Sequence, residues 1–168
     1  MSLSIKAKNG ASFYFMNQPL SSIAACTAAI ERNPGHPEAY LERGHLYEKV
    51  GNYEQAIADY SQVIRLDPAN ATIFFQRGSL YRKMKVFEQA LADFDQAIHL
   101  DPSNPKSWVG RGNTHYERRN FEQAIADYTA ALDLDPSYSA ALYNRAKCYA
   151  EIEADEPALA DFEAAPPA

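Results

Sequence analysis

The tripeptide Leu-Asp-Pro ends at Pro68, returns to end at Pro102, and returns again to end at Pro136, 34 residues on each time. One further step back lands on Asn33-Pro34. A fixed period of this length is the mark of a stacked-repeat architecture, in which each unit buries its apolar face on the next. Other columns keep the same time: Gly44, Gly78, Gly112 and Ala146; Ala56, Ala90, Ala124 and Ala158; Tyr60, Phe94, Tyr128 and Phe162. The segment Glu-Gln-Ala-Ile-Ala-Asp-Tyr occurs twice, at 54–60 and 122–128. This register divides a single domain, 1–168, into full repeats at 37–70, 71–104 and 105–138, a truncated repeat at 139–168 and a degenerate one at 3–36.

Each repeat reads as two helices. Tyr40, Arg43, Gly44 and Tyr47 recur at spacings of three and four, which predicts a first helix from about Pro37 to Val50. Gly51-Asn52 interrupts it. Ala56, Ile57, Tyr60, Val63 and Ile64 form the apolar stripe of a second helix from about Tyr53 to Leu66. Asp67-Pro68 ends that helix, because proline disfavours the helical conformation in the residue before it. A helix of about 21 Å is marginal alone. Each stripe must therefore be buried on the next helix, and the chain builds a row of about ten helices in antiparallel pairs. The Gly44 and Ala56 columns are expected where two helices approach closely, since glycine within a helix is otherwise disfavoured by about 1 kcal/mol.

Composition narrows the function. The net charge is −6 and the pI about 5.2, which argues against a nucleic-acid-binding chain. No apolar run reaches the roughly 18 residues of a membrane span. The Phe13–Met16 knot is too short for a signal-peptide core, so a cytoplasmic location is expected. Cys26 and Cys148 lie in apolar columns and form neither a disulfide framework nor a zinc set. None of His36, His45, His99 and His115 has a second ligand three or four residues away on its helix, so no metal is expected. His115 falls in an aromatic core column. No nucleophile elbow or phosphate loop is present. The chain is expected to be no enzyme and to need no cofactor.

The columns resemble the tetratricopeptide repeat, a 34-residue helix-turn-helix whose pattern runs from an aromatic through a large residue, Gly, Tyr, Ala and a second aromatic to Pro. Here it reads Tyr40, Arg43, Gly44, Tyr47, Ala56, Tyr60, Pro68, then Phe74, Arg77, Gly78, Tyr81, Ala90, Phe94, Pro102. The third repeat matches at Trp108, Arg111, Gly112, Ala124, Tyr128 and Pro136, with His115 in place of the tyrosine. The resemblance implies an all-α, right-handed superhelical solenoid whose first helices line a concave groove for a peptide or partner protein. One column departs from the familiar pattern: the usual aliphatic before the glycine is Arg43, Arg77, Arg111 and Arg145. A second column is always acidic, Asp59, Asp93, Asp127 and Asp161, and both charges are missing together in the degenerate repeat, at Asn9 and Ala25. A buried or half-buried Arg–Asp pair, repeated as a ladder, is expected.

Family geometry places five first-helix columns on the concave side. The residues expected to meet a partner are Leu41, His45 and Glu48; Phe75, Gln76, Ser79 and Arg82; Lys106, Val109, Asn113 and Tyr116; and Tyr143, Asn144 and Lys147. Leu41, Phe75, Val109 and Tyr143 form a column that is apolar in every repeat, which suits a helix or an extended peptide. Some relatives hold the acidic tails of heat-shock chaperones in a carboxylate clamp of two Lys, two Asn and an Arg. In the three registers the clamp slots hold little beyond Lys106 and Asn144, without their companions, so this tail is not expected as a ligand.

Arg82, Lys83, Lys85, Arg118 and Arg119 cluster at the ends of first helices. They either complement helix C-termini or form a basic ridge for an acidic partner. Asp155 takes the place of Tyr53 and Phe87 and is read as a helix N-cap. Pro166-Pro167 ends the last helix early and no capping helix follows. Either the chain is cut from a longer protein or that end is covered by a partner or a second copy. The main expectation is a protein-interaction scaffold; the alternative is a self-assembling homo-oligomer that uses the uncapped C-terminal end.

Overall fold

The computed structural model describes residues 22–165. Among them are nine α-helices and no strand: α1 (Ile23–Arg32), α2 (Pro37–Lys49), α3 (Tyr53–Leu66), α4 (Ala71–Lys83), α5 (Phe87–Leu100), α6 (Pro105–Glu117), α7 (Phe121–Leu134), α8 (Ser139–Glu151) and α9 (Asp155–Ala164). The predicted first helix closes one residue early, with Val50 as its C-cap, and the second runs from Tyr53 to Leu66 as read from its stripe. The first half of the degenerate repeat, with Gly10, Phe13, Pro19 and Leu20, lies outside the described residues, as do Pro166 and Pro167. Asp155 is the first residue of α9 rather than its cap: Ala154 holds the cap position without a side-chain hydrogen bond.

Two kinds of turn alternate. Inside a repeat the chain reverses through one left-handed residue, Gly51 (φ 78°), Lys85 (φ 60°), Arg119 (φ 62°) or Glu153 (φ 57°). The amide after it returns to the last turn of the first helix: Asn52 to the Tyr47 carbonyl, Val86 to Tyr81, Asn120 to His115 and Ala154 to Tyr149, each at 2.9 Å. This is the Schellman closure, which favours glycine because a Cβ crowds the carbonyl in the left-handed region. Only Gly51 avoids that crowding. Lys85→Gly is therefore expected to raise stability by about 0.5–1 kcal/mol, and Gly51→Ala to lower it by a similar amount, in urea titrations. Between repeats the turn is polar. Asp101 Oδ1 accepts the Ser103 amide at 3.2 Å and its hydroxyl at 2.7 Å, and Asp135 does the same for Ser137 at 3.0 and 2.8 Å.

The core is a succession of aromatic plugs. Tyr60, Phe94 and Tyr128 are fully buried. A Cβ on Gly44 would stand 2.6 Å from the Tyr60 ring, and one on Gly112 would stand 2.8 Å from Tyr128. The glycine column is thus the space into which the second-helix aromatic fits. Gly110, one repeat on from Gln76 in a column expected on the concave side, belongs instead to the same device: a Cβ there would meet Phe94 at 2.5 Å.

All four expected Arg–Asp pairs form, each with two parallel hydrogen bonds between first and second helix. Arg43 donates to Asp59 at 2.9 and 2.8 Å, Arg77 to Asp93 at 2.8 and 2.7 Å, and Arg145 to Asp161 at 2.7 Å twice. Arg111 grips Asp127 at 2.6 and 3.0 Å. Each arginine also donates its remaining arm to the preceding repeat: to the hydroxyl of Thr27 at 2.9 Å, Ser61 at 2.8 Å and Thr129 at 2.9 Å, and, for Arg111, to the Asp95 carboxylate at 2.6 Å. The ladder therefore ties neighbouring repeats together as well as the two helices of one repeat. Aromatic rings three residues before and four after cover the guanidinium of Arg43 and of Arg77, the latter by Phe74 and Tyr81 at 5.8 and 5.9 Å, whereas Arg111 has Trp108 alone and Arg145 has Tyr149 alone.

The stack is curved. First helices of successive repeats, α4 with α6 and α6 with α8, approach closely, whereas no two second helices do so among the described residues. First helices therefore occupy the inner side, and their outward face lines a groove.

Candidate functional site

The groove is built from α2, α4, α6 and α8, one first helix per repeat. The apolar column is graded rather than continuous. Leu41 is half-buried and packs on the Tyr60 cluster, and Phe75 lies half-buried with its ring 5.9 Å from Phe94. Val109 is only 6% exposed and belongs to the core around Tyr128, which corrects the reading of an unbroken strip. Tyr143 is 54% exposed, with its ring 5.8 Å from Phe162. The column meets solvent at its C-terminal end because α9 is followed by no further described helix that would cover it.

The polar columns are partly used by the frame. Ser79 turns back and donates to the Phe75 carbonyl at 2.8 Å. Glu48 accepts from the Tyr60 hydroxyl at 3.0 Å and from Lys83 at 3.1 Å. His45 sets its ring edge-on to Tyr60, at 5.8 Å, and its Nε2 lies 3.1 Å from Gln76 Nε2, so one His45 tautomer accepts that amide. Asn144 Nδ2 donates to Asn113 Oδ1 at 2.9 Å, and the Tyr128 hydroxyl donates to the same oxygen at 2.8 Å. Lys106 is exposed. Lys147 lies over the rings of Tyr116 and Tyr143, at 4.9 and 5.8 Å, with no ion pair among the described residues. Burial pushes the Tyr60 and Tyr128 hydroxyls well above their usual range, so both stay protonated donors.

Arg82, Asn113, Tyr116 and Glu117 on α4 and α6, Tyr128 on α7, and Asn144 and Lys147 on α8 enclose a cavity of about 240 Å³. It is the place where the predicted groove residues of three successive repeats converge. Its hydrogen-bonding core, Tyr128 to Asn113 to Asn144, was not legible beforehand. The aromatic column signalled only core, and that its hydroxyl reaches across to the groove depends on the packing angle.

The basic cluster is largely neutralised. Arg82 pairs with Glu117, Lys83 with Glu48 at 3.1 Å, Arg118 with Glu88 at 3.4 Å and Arg119 with Glu151 at 3.3 Å. Of the five, Lys85 alone has no ion pair among the described residues. All four of these bonds run between neighbouring repeats, so the cluster fastens repeats together instead of forming a free ridge. Both cysteines are fully buried; desolvation raises the Cys26 thiol and lifts Cys148 to about 11, as their apolar columns imply.

His115 is half-buried, with Nε2 4.0 Å from Asp127 and Nδ1 buried without a hydrogen-bond partner. Burial, outweighing Asp127, holds its pKa below the ordinary value. The folded chain therefore binds the His115 proton less readily than the unfolded chain. Stability from this residue is intact above about pH 6.5 and falls as the pH drops through the folded value. His115→Tyr, which restores the residue of the neighbouring repeats, is expected to flatten the acid limb of a Tm-against-pH curve below about pH 6.5.

The comparisons agree with this geometry. Models of the TPR repeat match residues 49–85 and 78–118, and models described as the tetratricopeptide repeat match 25–58 and 105–138. A comparison with curated proteins finds no match. Among solved structures, the crystal structure of MamA superposes with a TM-score of 0.82, covering 98% of this chain and 94% of that one at 19% identity, a likeness of fold. The first TPR of Spaghetti (RPAP3), solved bound to the HSP90 peptide SRMEEVD, is 29% identical with a TM-score of 0.67, covering 70% of this chain and 93% of that one. The Arabidopsis OM64 TPR domain is 27% identical with a TM-score of 0.66, covering 68% and 95%. With matches running from residue 25 to 138 and the repeat columns seated in the stack as the pattern requires, the chain belongs to the tetratricopeptide repeat family.

Proposed function

We propose that this chain is a protein-interaction scaffold that holds a peptide or helix of a partner protein in its concave groove. The observation that carries the reading is a division of labour among side chains. Glycine, alanine, aromatic, arginine and aspartate columns make the frame, while the groove positions change from repeat to repeat: Glu42, Gln76 and Asn144 in one column, whose third-repeat member Gly110 is taken by the frame, and His45, Ser79, Asn113 and Lys147 in another. The peptide-bound first TPR of Spaghetti supports a peptide as ligand class. The five clamp slots here lack the basic and amide set that would receive two carboxylates, so the proposal does not extend to that peptide. Leu41, Phe75 and Tyr143 supply apolar contact, and His45, Gln76, Lys106, Asn113, Asn144 and Lys147 supply polar contact. Val109 shapes the floor from below.

Affinity capture from the native source, read by mass spectrometry, tests this. Tyr143→Glu combined with Lys106→Glu changes two exposed groove positions, and Glu122→Lys changes the opposite, second-helix side. Partners lost with the groove variant and kept by Glu122→Lys are expected, with circular dichroism unchanged in both. The same partners returning with both variants refute the groove.

A second reading, self-association, is favoured by one observation. Phe162 is 42% exposed although its column mates Tyr60, Phe94 and Tyr128 are fully buried, and Leu159 beside it is 59% exposed. An internal repeat covers this face with the next first helix. Light scattering across a concentration series tests it: a monomer at every concentration ends the reading, and an oligomer dissolved by Leu159→Glu supports it.

A further inference from the structure

Every arginine of the ladder hands its remaining arm back to one column of side-chain oxygens on the preceding second helix: Thr27, Ser61, Asp95 and Thr129. The next member of that column is Glu163. It is exposed on α9, with no hydrogen bond or ion pair among the described residues. Beside it Leu159 and Phe162 are exposed too, whereas their column mates are half-buried at Ile57, Leu91 and Ile125 and fully buried at Tyr60, Phe94 and Tyr128. The α9 face thus carries both parts of an internal joint, an apolar seat and an oxygen acceptor, with no first helix upon it among the described residues. Pairing this face with itself sets like charges together, because 139–168 holds six acidic residues against two basic ones.

The other end of the sequence is its complement. No acidic residue precedes Glu31, and Lys6 and Lys8 stand within the first ten residues. The 34-residue register sets Ile5 in the column of Ala39, Ile73, Ser107 and Ala141, which is buried in every described repeat and packs Ile73 with Tyr60 and Ala141 with Tyr128. Lys8 stands in the column whose Gly110 lies against Phe94, and Asn9 in the arginine column. Inside the stack a long arginine meets a short Ser, Thr or Asp; a short asparagine matches the longer glutamate, and its amide is a donor to that carboxylate. Ala25 stands in the acidic column, so that column offers Asn9 no carboxylate on which to spend its amide.

We propose that copies of this chain stack head to tail. The segment holding Ile5, Lys8 and Asn9 in one copy takes the place of the next first helix on α9 of another, with Ile5 on the Leu159 and Phe162 seat, Lys8 over the Phe162 ring and the Asn9 amide donating to Glu163. The inference rests on the self-association reading above and names the surface that meets α9. The contact joins two different surfaces, so each added copy leaves one end open and the assembly grows as a rod or ring instead of closing as a two-fold dimer.

Sedimentation velocity of the full chain across a concentration series tests the proposal. Leu159→Glu closes the tail, and Lys8→Glu combined with Asn9→Asp closes the head by setting carboxylates against Glu163. Each variant alone is expected to associate at least about tenfold more weakly than the wild type, with circular dichroism unchanged. Mixed, the two should form a heterodimer and nothing larger, because each keeps the end that the other lacks. Asn9→Asp with Glu163→Lys in one chain should regain the association that Asn9→Asp alone loses, and this charge swap keeps the test open should Leu159→Glu disturb α9. A wild type that is monomeric throughout ends both the self-association reading and this inference. Oligomers dissolved by Leu159→Glu but untouched by the head variant, or a mixture that forms no heterodimer, leave self-association through α9 standing and overturn the head-to-tail contact. A charge-swapped chain no tighter than Asn9→Asp alone overturns the bond between Asn9 and Glu163.

Discussion

Arg77→Leu is expected to destabilise the array by about 3–5 kcal/mol, the range for leaving one member of a buried ion pair without its partner. The Asp93 side chain is only 6% exposed and would keep its charge with no cation beside it. The Ser61 hydroxyl would also lose its donor. Asp93→Ala should do less harm, because Arg77 is more exposed than Asp93 and keeps the Ser61 bond and the Phe74 and Tyr81 rings. The double variant is the informative one. Removing both charges leaves an apolar contact of the kind the family's usual aliphatic residue makes, so the combined loss should fall short of the sum by about 1–3 kcal/mol. Chemical denaturation of the four proteins in one buffer measures the cycle. Additive losses would mean that arginine and aspartate act separately and that the ladder is no unit of cohesion.

Gly78→Leu is expected to destabilise by about 2–3 kcal/mol, at the upper end of overpacking losses. A Cβ at Gly78 already stands 3.1 Å from Asp93 Cβ and 3.3 Å from the Ala90 carbonyl oxygen, so the rest of a leucine side chain has to part α4 from α5. The parting would also pull Arg77 away from Asp93, which couples this prediction to the first. Gly78→Ala is the control. Its single methyl is tight, but alanine gains about 1 kcal/mol of helix propensity over glycine, and Ala146 fills the same column in the last repeat. A near-neutral alanine and a strongly destabilised leucine in thermal melts support the close approach. An unchanged Tm for the leucine variant would refute it.

Much of the frame was legible from the sequence. The 34-residue step, the two helices per repeat, the close approach at glycine and the four arginine–aspartate partners are all local or strictly periodic properties. A residue's place on a helix face follows from 3.6 residues per turn, and the partner across the turn follows from the period. The third arm of each arginine was missed although a signal existed. Thr27, Ser61, Asp95 and Thr129 follow the acidic column by two residues, each with a side-chain oxygen. Nothing within one helix pair says that this oxygen faces the arginine of the following repeat.

The period and the chemistry of its columns thus determined the architecture by themselves, because a helix pair that cannot bury its stripe alone has to stack. Exposure was a different matter. Leu41, Phe75, Val109 and Tyr143 share a column and one apolar character, yet Val109 is sealed in the core while Tyr143 stands open. The basic residues at the helix ends could be read as a free ridge until the neighbouring repeats brought Glu117, Glu48 and Glu151 against them. Whether a side chain is free to meet a partner depends on the size and reach of residues some 30 positions away, and on how sharply one pair is rotated against the next. Those quantities exist only once the pairs are packed. The cavity between Lys147, Asn113 and Arg82, assembled from α4, α6 and α8, is a product of that packing alone.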